Sequence, residues 1–180
     1  MKQIQIDKLH FELFIDYEQI QKQIRLMGID ISLQYADKNP VFIGVLNGCF
    51  MFMADLMKEV TIPCQLSFVK LASYEGVASQ GTIQQLLGVG MDLKGRHVVI
   101  VEDVIDTGNS LKHTIATLQD LEVASISVCA LLMKPDCLVH QFDEDLLVGF
   151  EIDKEFVVGY GLDYNGQGRN LPDIYKNFSL

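Results

Sequence analysis

Apolar residues recur along this chain at two spacings, and the alternation between them predicts its architecture. Ile20, Ile24 and Met27 fall about one helical turn apart, which predicts an amphipathic helix over residues 16–28. Val41 to Leu46 is a short unbroken apolar run closed by Asn47 and Gly48, and Phe50 to Val60 then returns to helical spacing. The order strand, glycine turn, helix recurs further on. His97 to Val101 is apolar at both parities, as expected of a parallel strand covered on both faces, and Leu111, Ile115 and Leu118 mark the helix after it. Ser125 to Leu132 and Phe156 to Tyr160 read as two more buried strands. Strands alternating with helices predict an α/β fold with a mostly parallel central sheet flanked by helices. Leu66, Phe68 and Leu71 belong to a β-rich run that gives way to Ser73-Tyr74-Glu75-Gly76-Val77-Ala78-Ser79-Gln80-Gly81, small and polar residues that predict a long mobile loop.

Composition narrows this picture without changing it. The 180 residues are 49% hydrophobic and 21% charged, with no repeat and no linker-like stretch, as expected of one compact domain. No apolar run approaches the ~20 residues of a spanning helix. The start MKQIQIDKLH lacks the apolar centre of a signal peptide, so a soluble cytoplasmic protein with no membrane partner is expected. A net charge of −10, with the 14 lysines and arginines scattered, argues against nucleic acid as the main partner, because phosphate backbones are held by basic patches. Cys49, Cys64, Cys129 and Cys137 form neither a C-x-x-C pair nor a zinc-like spacing and are expected to be reduced thiols.

The chemistry gathers at strand ends, where parallel sheets collect their ligands. In VVIVEDVIDTGNSL, residues 98–111, an apolar strand runs into Glu102, Asp103 and Asp106 and then into Thr107, Gly108, Asn109 and Ser110. Gly108 permits close backbone approach, and successive N–H groups at the start of a helix make a concave site for an anion, best filled by a phosphate. This is not a P-loop, since the chain has no G-x-x-x-x-G-K-[ST]. Two carboxylates just before the cradle would repel a phosphate unless they face hydroxyl groups or a cation. A ribose 5-phosphate satisfies both demands, with its phosphate on residues 107–110 and its hydroxyls, or Mg²⁺ bound to them, at Glu102 and Asp103. Asp106 then falls near whatever is attached at C1′. An isolated Glu-Asp pair would read as a solvated acidic turn with Thr107 or Ser110 capping the helix. The full string, an apolar strand followed by E-D-x-x-D-T-G-x-[ST], is far more specific. It resembles the motif with which type I phosphoribosyltransferases bind phosphoribosyl diphosphate (PRPP).

The resemblance extends over most of residues 40–170. VLNGCFMFMADL is similar to the diphosphate loop and following helix of the hypoxanthine (hypoxanthine-guanine) phosphoribosyltransferases, and VKLASYEG to the start of their active-site loop. LLMKP and VGFEIDKEFVVGYGLDYNGQGRNLPDIY resemble their purine-binding and C-terminal regions. This implies the type I phosphoribosyltransferase fold in a single domain, 1–180, with a core over about 38–150 and a small hood from about 1–15 and 151–180. It also implies Mg²⁺-dependent transfer of the phosphoribosyl group from PRPP to N9 of hypoxanthine or guanine, by a homodimer or homotetramer. Carried over residue by residue, Asn47, Gly48 and Arg169 hold diphosphate, while Ser73 and Tyr74 belong to a lid. Lys134 donates to the oxygen at purine C6; with three donors and no acceptor it favours an oxo over an amino group. Phe156 stacks on the ring and the Val157 backbone pairs with the base edge. Asp163 borders the purine and joins Glu102 and Asp103 as a metal ligand, and Asp106 is the acid or base at N7. Asn47 stands where many relatives carry lysine or arginine and Asn109 where some carry lysine; activity is expected to survive, and how tightly PRPP is held stays open. The competing readings are an RNA-binding nucleotide sensor on the same fold, which lacks support in a basic face, and a phospho-acceptor domain, whose acids lie on separate strands. Within the enzyme reading, preference for xanthine or guanine stays open.

Overall fold

The computed structural model describes residues 2–73, 83–87 and 90–178. Its centre is a six-stranded sheet built from β3 (Val41–Leu46), β4 (Gln65–Ser73), β5 (Ile83–Leu87), β6 (His97–Ile105), β7 (Ser125–Met133) and β8 (Asp145–Glu151). The strand order is β5-β4-β3-β6-β7-β8, with all neighbours parallel except the antiparallel β4 and β5 pair. β3 and β6 are apolar at both parities because both of their faces are covered. Phe42, Val99 and Val101 pack on one side with Ile20, Ile24 and Met27 of α1 (Tyr17–Gln34) and Phe52 and Leu56 of α2 (Phe50–Glu59). Val41, Ile43, Val98 and Ile100 pack on the other with Leu111, Ile115 and Leu118 of α3 (Asn109–Gln119). The predicted α/β architecture is therefore present as three layers.

A second, smaller antiparallel sheet, β1-β2-β10-β9, joins the two ends of the chain: β1 (Gln3–Ile6) and β2 (Leu9–Ile15) meet β10 (Ile174–Asn177), which pairs β9 (Val157–Val158). This sheet is the hood implied by the resemblance. Hydrophobic periodicity alone did not indicate β1, β2, β5, β8 or β10, and the strand expected over Phe156 to Tyr160 narrows to Val157 and Val158. Helix α1 also runs further than residue 28, because Ile31 continues its buried stripe to Gln34. It starts where Asp16 and Gln19 form a reciprocal capping box, each side chain bonded to the other's backbone N–H at 2.8 and 3.1 Å. No helix among the described residues is long and apolar enough to cross a membrane. The four cysteines are free, with Cys49 and Cys129 in the interior.

The segment after β9 is bonded to the helical layer through one polar knot. The buried Tyr160 hydroxyl donates to Asp55 Oδ2 on α2 at 2.5 Å, Gln21 of α1 donates to the same oxygen at 2.8 Å, and Lys58 donates to Oδ1 at 2.6 Å. Burial alone would raise the Asp55 carboxyl, but the bonds from Lys58, Tyr160 and Gln21 outweigh it and hold it below its ordinary value. A depressed carboxyl stabilises the fold above its unfolded pKa and ceases to do so as pH falls through its folded pKa. Asp55→Asn is therefore expected to cost about 1–2 kcal/mol at pH 7, with a smaller cost below pH ~4. Urea melts of both proteins at pH 7 and near pH 3 check this; an equal cost at both would mean the charge is irrelevant.

Candidate active site

The sequence-selected groups on the central sheet lie at the carboxyl ends of β3, β4, β6 and β7. The strand before the acids is longer than expected: β6 continues to Ile105, so Glu102 and Asp103 are strand residues and not the start of a loop. Strand alternation sends adjacent side chains to opposite faces. Asp103 follows the parity of Val99 and Val101 and meets the turn after β3, where a Cβ on Gly48 would come 1.6 Å from its Oδ2. Glu102 follows the parity of Val98 and Ile100 and is buried. Burial pushes Glu102 well above the ordinary carboxyl value, and the adjacent Asp103 charge adds to the shift. Burial pushes Asp103 up to about 6, against backbone N–H bonds and the nearby Arg169 charge. Among the described residues neither acid has an ion-pair partner.

Gly48 leaves no room for a side chain while the Asp103 carboxyl keeps its place, and the chain after β9 packs on its other side. A Cβ on Gly161 would lie 2.0 Å from the Gly48 carbonyl oxygen, and Gly161 sits at φ +101°. Gly161 thereby presses its backbone onto the turn that Asn47, itself exposed, shares with Gly48. The same loop carries Arg169 and Asp163: one guanidinium nitrogen of Arg169 donates to the Gly161 carbonyl at 2.7 Å, and another meets Asp163 Oδ1 at 2.5 Å. Asp163 Oδ2 accepts from the Gly166 N–H at 2.7 Å. Gly48→Ala would force the Asp103 carboxyl aside, an overpacking cost of about 1–3 kcal/mol. We expect a correspondingly lower thermal midpoint and about tenfold weaker retention of any ligand held between Gly48 and Asp103. A midpoint equal to the parent's would show that the turn relaxes freely.

The cradle after β6 has the geometry expected of an anion site. Gly108, at φ +82°, is the N-cap of α3 and contributes no side chain to the cap, while the Asn109 N–H at the first helical position donates to Thr107 Oγ1 at 3.4 Å. Thr107, Asn109 and Ser110 are exposed. Asp106 stands before them at half exposure and is ion-paired with Lys134, its Oδ2 lying 2.8 Å from the Lys134 Nζ. Lys134 itself is buried and follows β7 directly, with its backbone N–H tied to the Ile105 carbonyl at 2.9 Å. Two groups that are 28 positions apart thus end side by side at the tips of adjacent strands.

The hood supplies an aromatic face and a free backbone edge. Phe156 is held edge-on by Tyr164 at 5.7 Å and leans on Phe11 at 6.0 Å, yet keeps 36% of its surface exposed. Its carbonyl accepts from the Asn177 N–H at 2.8 Å, so in the antiparallel ladder the next residue, Val157, points its N–H and C=O away from β10. β9 ends its sheet, so that edge has no strand partner among the described residues. Ser73 closes β4, and Tyr74 with the rest of the expected lid lies outside the described residues. Sequence reasoning missed Gly161, Tyr160 with Asp55, and His140 beside Asn109. Gly-Tyr-Gly at 159–161 was the only local signal among them.

Comparison with known proteins agrees with this geometry. The model of the phosphoribosyl transferase domain family matches residues 16–165. The hypoxanthine-guanine phosphoribosyltransferase of Streptococcus pneumoniae R6 is 40% identical over 164 residues, which cover 91% of each chain. The hypoxanthine phosphoribosyltransferase of Haemophilus influenzae is 38% identical over 173 residues, 94% of this chain and 96% of that one. Among solved structures, a hypoxanthine phosphoribosyltransferase from Staphylococcus aureus superposes with a TM-score of 0.87 at 35% identity, covering 93% of this chain and 91% of the other. With domain model, sequence relatives and solved structure agreeing over most of its length, this chain belongs to the phosphoribosyltransferase family, within the hypoxanthine and hypoxanthine-guanine branch.

Proposed function

We propose that this enzyme transfers the 5-phosphoribosyl group of PRPP to N9 of hypoxanthine and guanine in purine salvage, releasing diphosphate and the 6-oxopurine nucleotide. The observation that carries this reading is the Lys134 and Asp106 pair at 2.8 Å. In a 6-oxopurine the C6 oxygen and N7 occupy one edge of the base, the first accepting a hydrogen bond and the second carrying a proton in the tautomer whose N9 is the nucleophile. A buried ammonium beside a carboxylate matches that edge group for group. Phe156 offers its exposed face to the ring, and the outward backbone of Val157 lies along an unpaired sheet edge where a base edge can bond.

The chain's own groups then divide the reaction among them. Lys134 donates to O6 and selects against a 6-amino group, which could offer it only another donor. Asp106 takes the N7 proton as N9 closes on C1′, and the same carboxylate faces the positive charge that develops on the ribose. The N–H groups from Thr107 to Ser110 hold the 5-phosphate. The backbone of Asn47 and Gly48, with Arg169, faces the departing diphosphate. Ser73 and Tyr74 open the segment that would exclude water from the reacting carbon.

Mg²⁺ fits the donor set. Glu102, Asp103 and Asp163 offer hard carboxylate oxygens, and among the described residues neither the buried Glu102 nor the partly buried Asp103 has an ion-pair partner. No group of three or more ligating side chains is assembled among the described residues, so a cation here would draw much of its shell from PRPP itself. When bound it would supply positive charge against the diphosphate, which a protein of net charge −10 otherwise has little of.

Nucleotide formation from PRPP and Mg²⁺ with hypoxanthine, guanine, xanthine and adenine in parallel, with an EDTA control, tests the proposal. Turnover of 6-oxopurines and not of adenine, abolished by EDTA, is expected. Turnover of adenine would overturn the role of Lys134, and nucleotide binding without turnover of any base would leave a sensor on an enzyme's fold.

A further inference from the structure

The anion cradle has a side-chain neighbour that no step above employs. His140 sits between the 3₁₀ turn Pro135–Cys137 and β8, on a segment laid directly against the cradle. The Val139 N–H donates to the Thr107 carbonyl at 3.1 Å, and the Phe142 ring closes over Gly108, where a Cβ would come 2.9 Å from its Cζ. His140 meets that ring edge-on at 6.5 Å. Its Nε2 lies 2.7 Å from Asn109 Oδ1, and its Nδ1 lies 3.4 Å from the Nζ of Lys112, one helical turn further along α3.

Donor and acceptor rules fix the direction of this relay. An ammonium has donors only, so the imidazole nitrogen facing Lys112 must present its lone pair. In the neutral ring the proton then sits on Nε2 and is donated to Asn109. The Asn109 atom that receives it must be the carbonyl oxygen, which leaves the amide NH₂ as the free half of the side chain. An Asn amide that is free to flip has no fixed orientation before an anion binds and must be turned to present its NH₂. With the oxygen occupied, only the donor remains available. Asn109 is the first residue of α3, at the positive end of the helix dipole.

We propose that His140 is a positioning residue for the sugar 5-phosphate: it holds the Asn109 amide with its NH₂ turned to the phosphate, and Lys112 holds His140 in the tautomer that does so. The proposal rests on the reading of residues 107–110 as the phosphate site. It explains how a neutral residue can serve there. An amide needs to be oriented, whereas a lysine at position 109 would not.

The test compares ligands with and without the phosphate. His140→Phe keeps an aromatic ring against Phe142 and removes both nitrogens. It is expected to raise KM for PRPP and Kd for IMP about tenfold, the usual weight of one hydrogen bond to a charged group. Saturated kcat should stay within about twofold, and inosine, which lacks the phosphate, should bind as it does to the parent. His140→Gln, which retains an N–H donor, should recover much of the loss. Lys112→Met, at an exposed position, should shift IMP binding in the same direction by a smaller factor, and it carries the test if the phenylalanine variant melts early. In an Asn109→Lys background, His140→Phe should have no further effect, since an ammonium needs no orienting partner. Equal losses for IMP and inosine, or unchanged IMP affinity in an active protein, would overturn the role of His140. A parent that binds neither IMP nor PRPP would remove the phosphate site itself, and this inference with it.

Discussion

Asp106→Asn is expected to leave KM for PRPP within about threefold of the parent and to lower the rate of the chemical step by ~10²–10⁴-fold, the usual span of acid–base effects. The substitution is nearly isosteric. The Asn carbonyl can still accept from the Lys134 ammonium, now 2.8 Å from Asp106 Oδ2, so the purine edge should keep its place. What the amide cannot do is take the N7 proton. Its neutral side chain also removes a negative charge from beside the developing oxocarbenium carbon, which adds to the loss. Asp106→Ala should be worse in a second respect, because it leaves the buried Lys134 without its carboxylate and so lowers stability as well. Single-turnover kinetics separate the chemical step from product release and are the measurement to make. An Asn variant that turns over near the parent rate would displace Asp106 as the base.

The central sheet was legible because its strands are covered on both faces. Such strands are short apolar runs, and the glycine turns after β3 and β6 punctuate them. The hood was legible only through resemblance. β1 and the first part of β2 alternate polar and apolar residues over a few positions, β10 is four residues long without alternation, and β9 contributes just Val157 and Val158, so no window is long enough for periodicity to decide. The site divides along the same line. The string from Glu102 to Ser110 is continuous in sequence, and its strand-to-helix context could be read directly. The pairing of Asp106 with Lys134, the seating of Gly161 on Gly48 and the approach of His140 to Asn109 depend on which strands become neighbours, and no local pattern records that.

Glu102 and Asp103 are both raised by burial, Asp103 to about 6. Arg169 is held by Asp163 and by the Gly161 carbonyl, and its charge already reaches Asp103. Positive charge in this pocket therefore comes from Arg169 on the loop after β9 and Lys134 at the end of β7, and not from any basic surface. The RNA-binding alternative has nothing comparable to stand on, because nucleic acid requires such a surface.

Lys134→Met is expected to lower kcat/KM for hypoxanthine and for guanine by the same factor, about 100-fold, and to leave adenine unused. Methionine matches the length of the lysine stem and fits a buried position, so the change tests the ammonium and not the packing. A hydrogen bond from a charged donor, made in a site that is largely closed to water, contributes about 1.5–3 kcal/mol, or roughly 10–150-fold. Lys134 should sit at the upper end because it is buried and already aligned by the Ile105 carbonyl and by Asp106. Adenine gains nothing, since removing a donor does not create the acceptor that an amino group needs. The decisive comparison is unsubstituted purine, which lacks the C6 oxygen: its use, however slow in the parent, should change far less than that of hypoxanthine. If purine and hypoxanthine fell together, Lys134 would be acting through Asp106 rather than on the base, and the selection of 6-oxopurines would have to reside in the outward backbone of Val157.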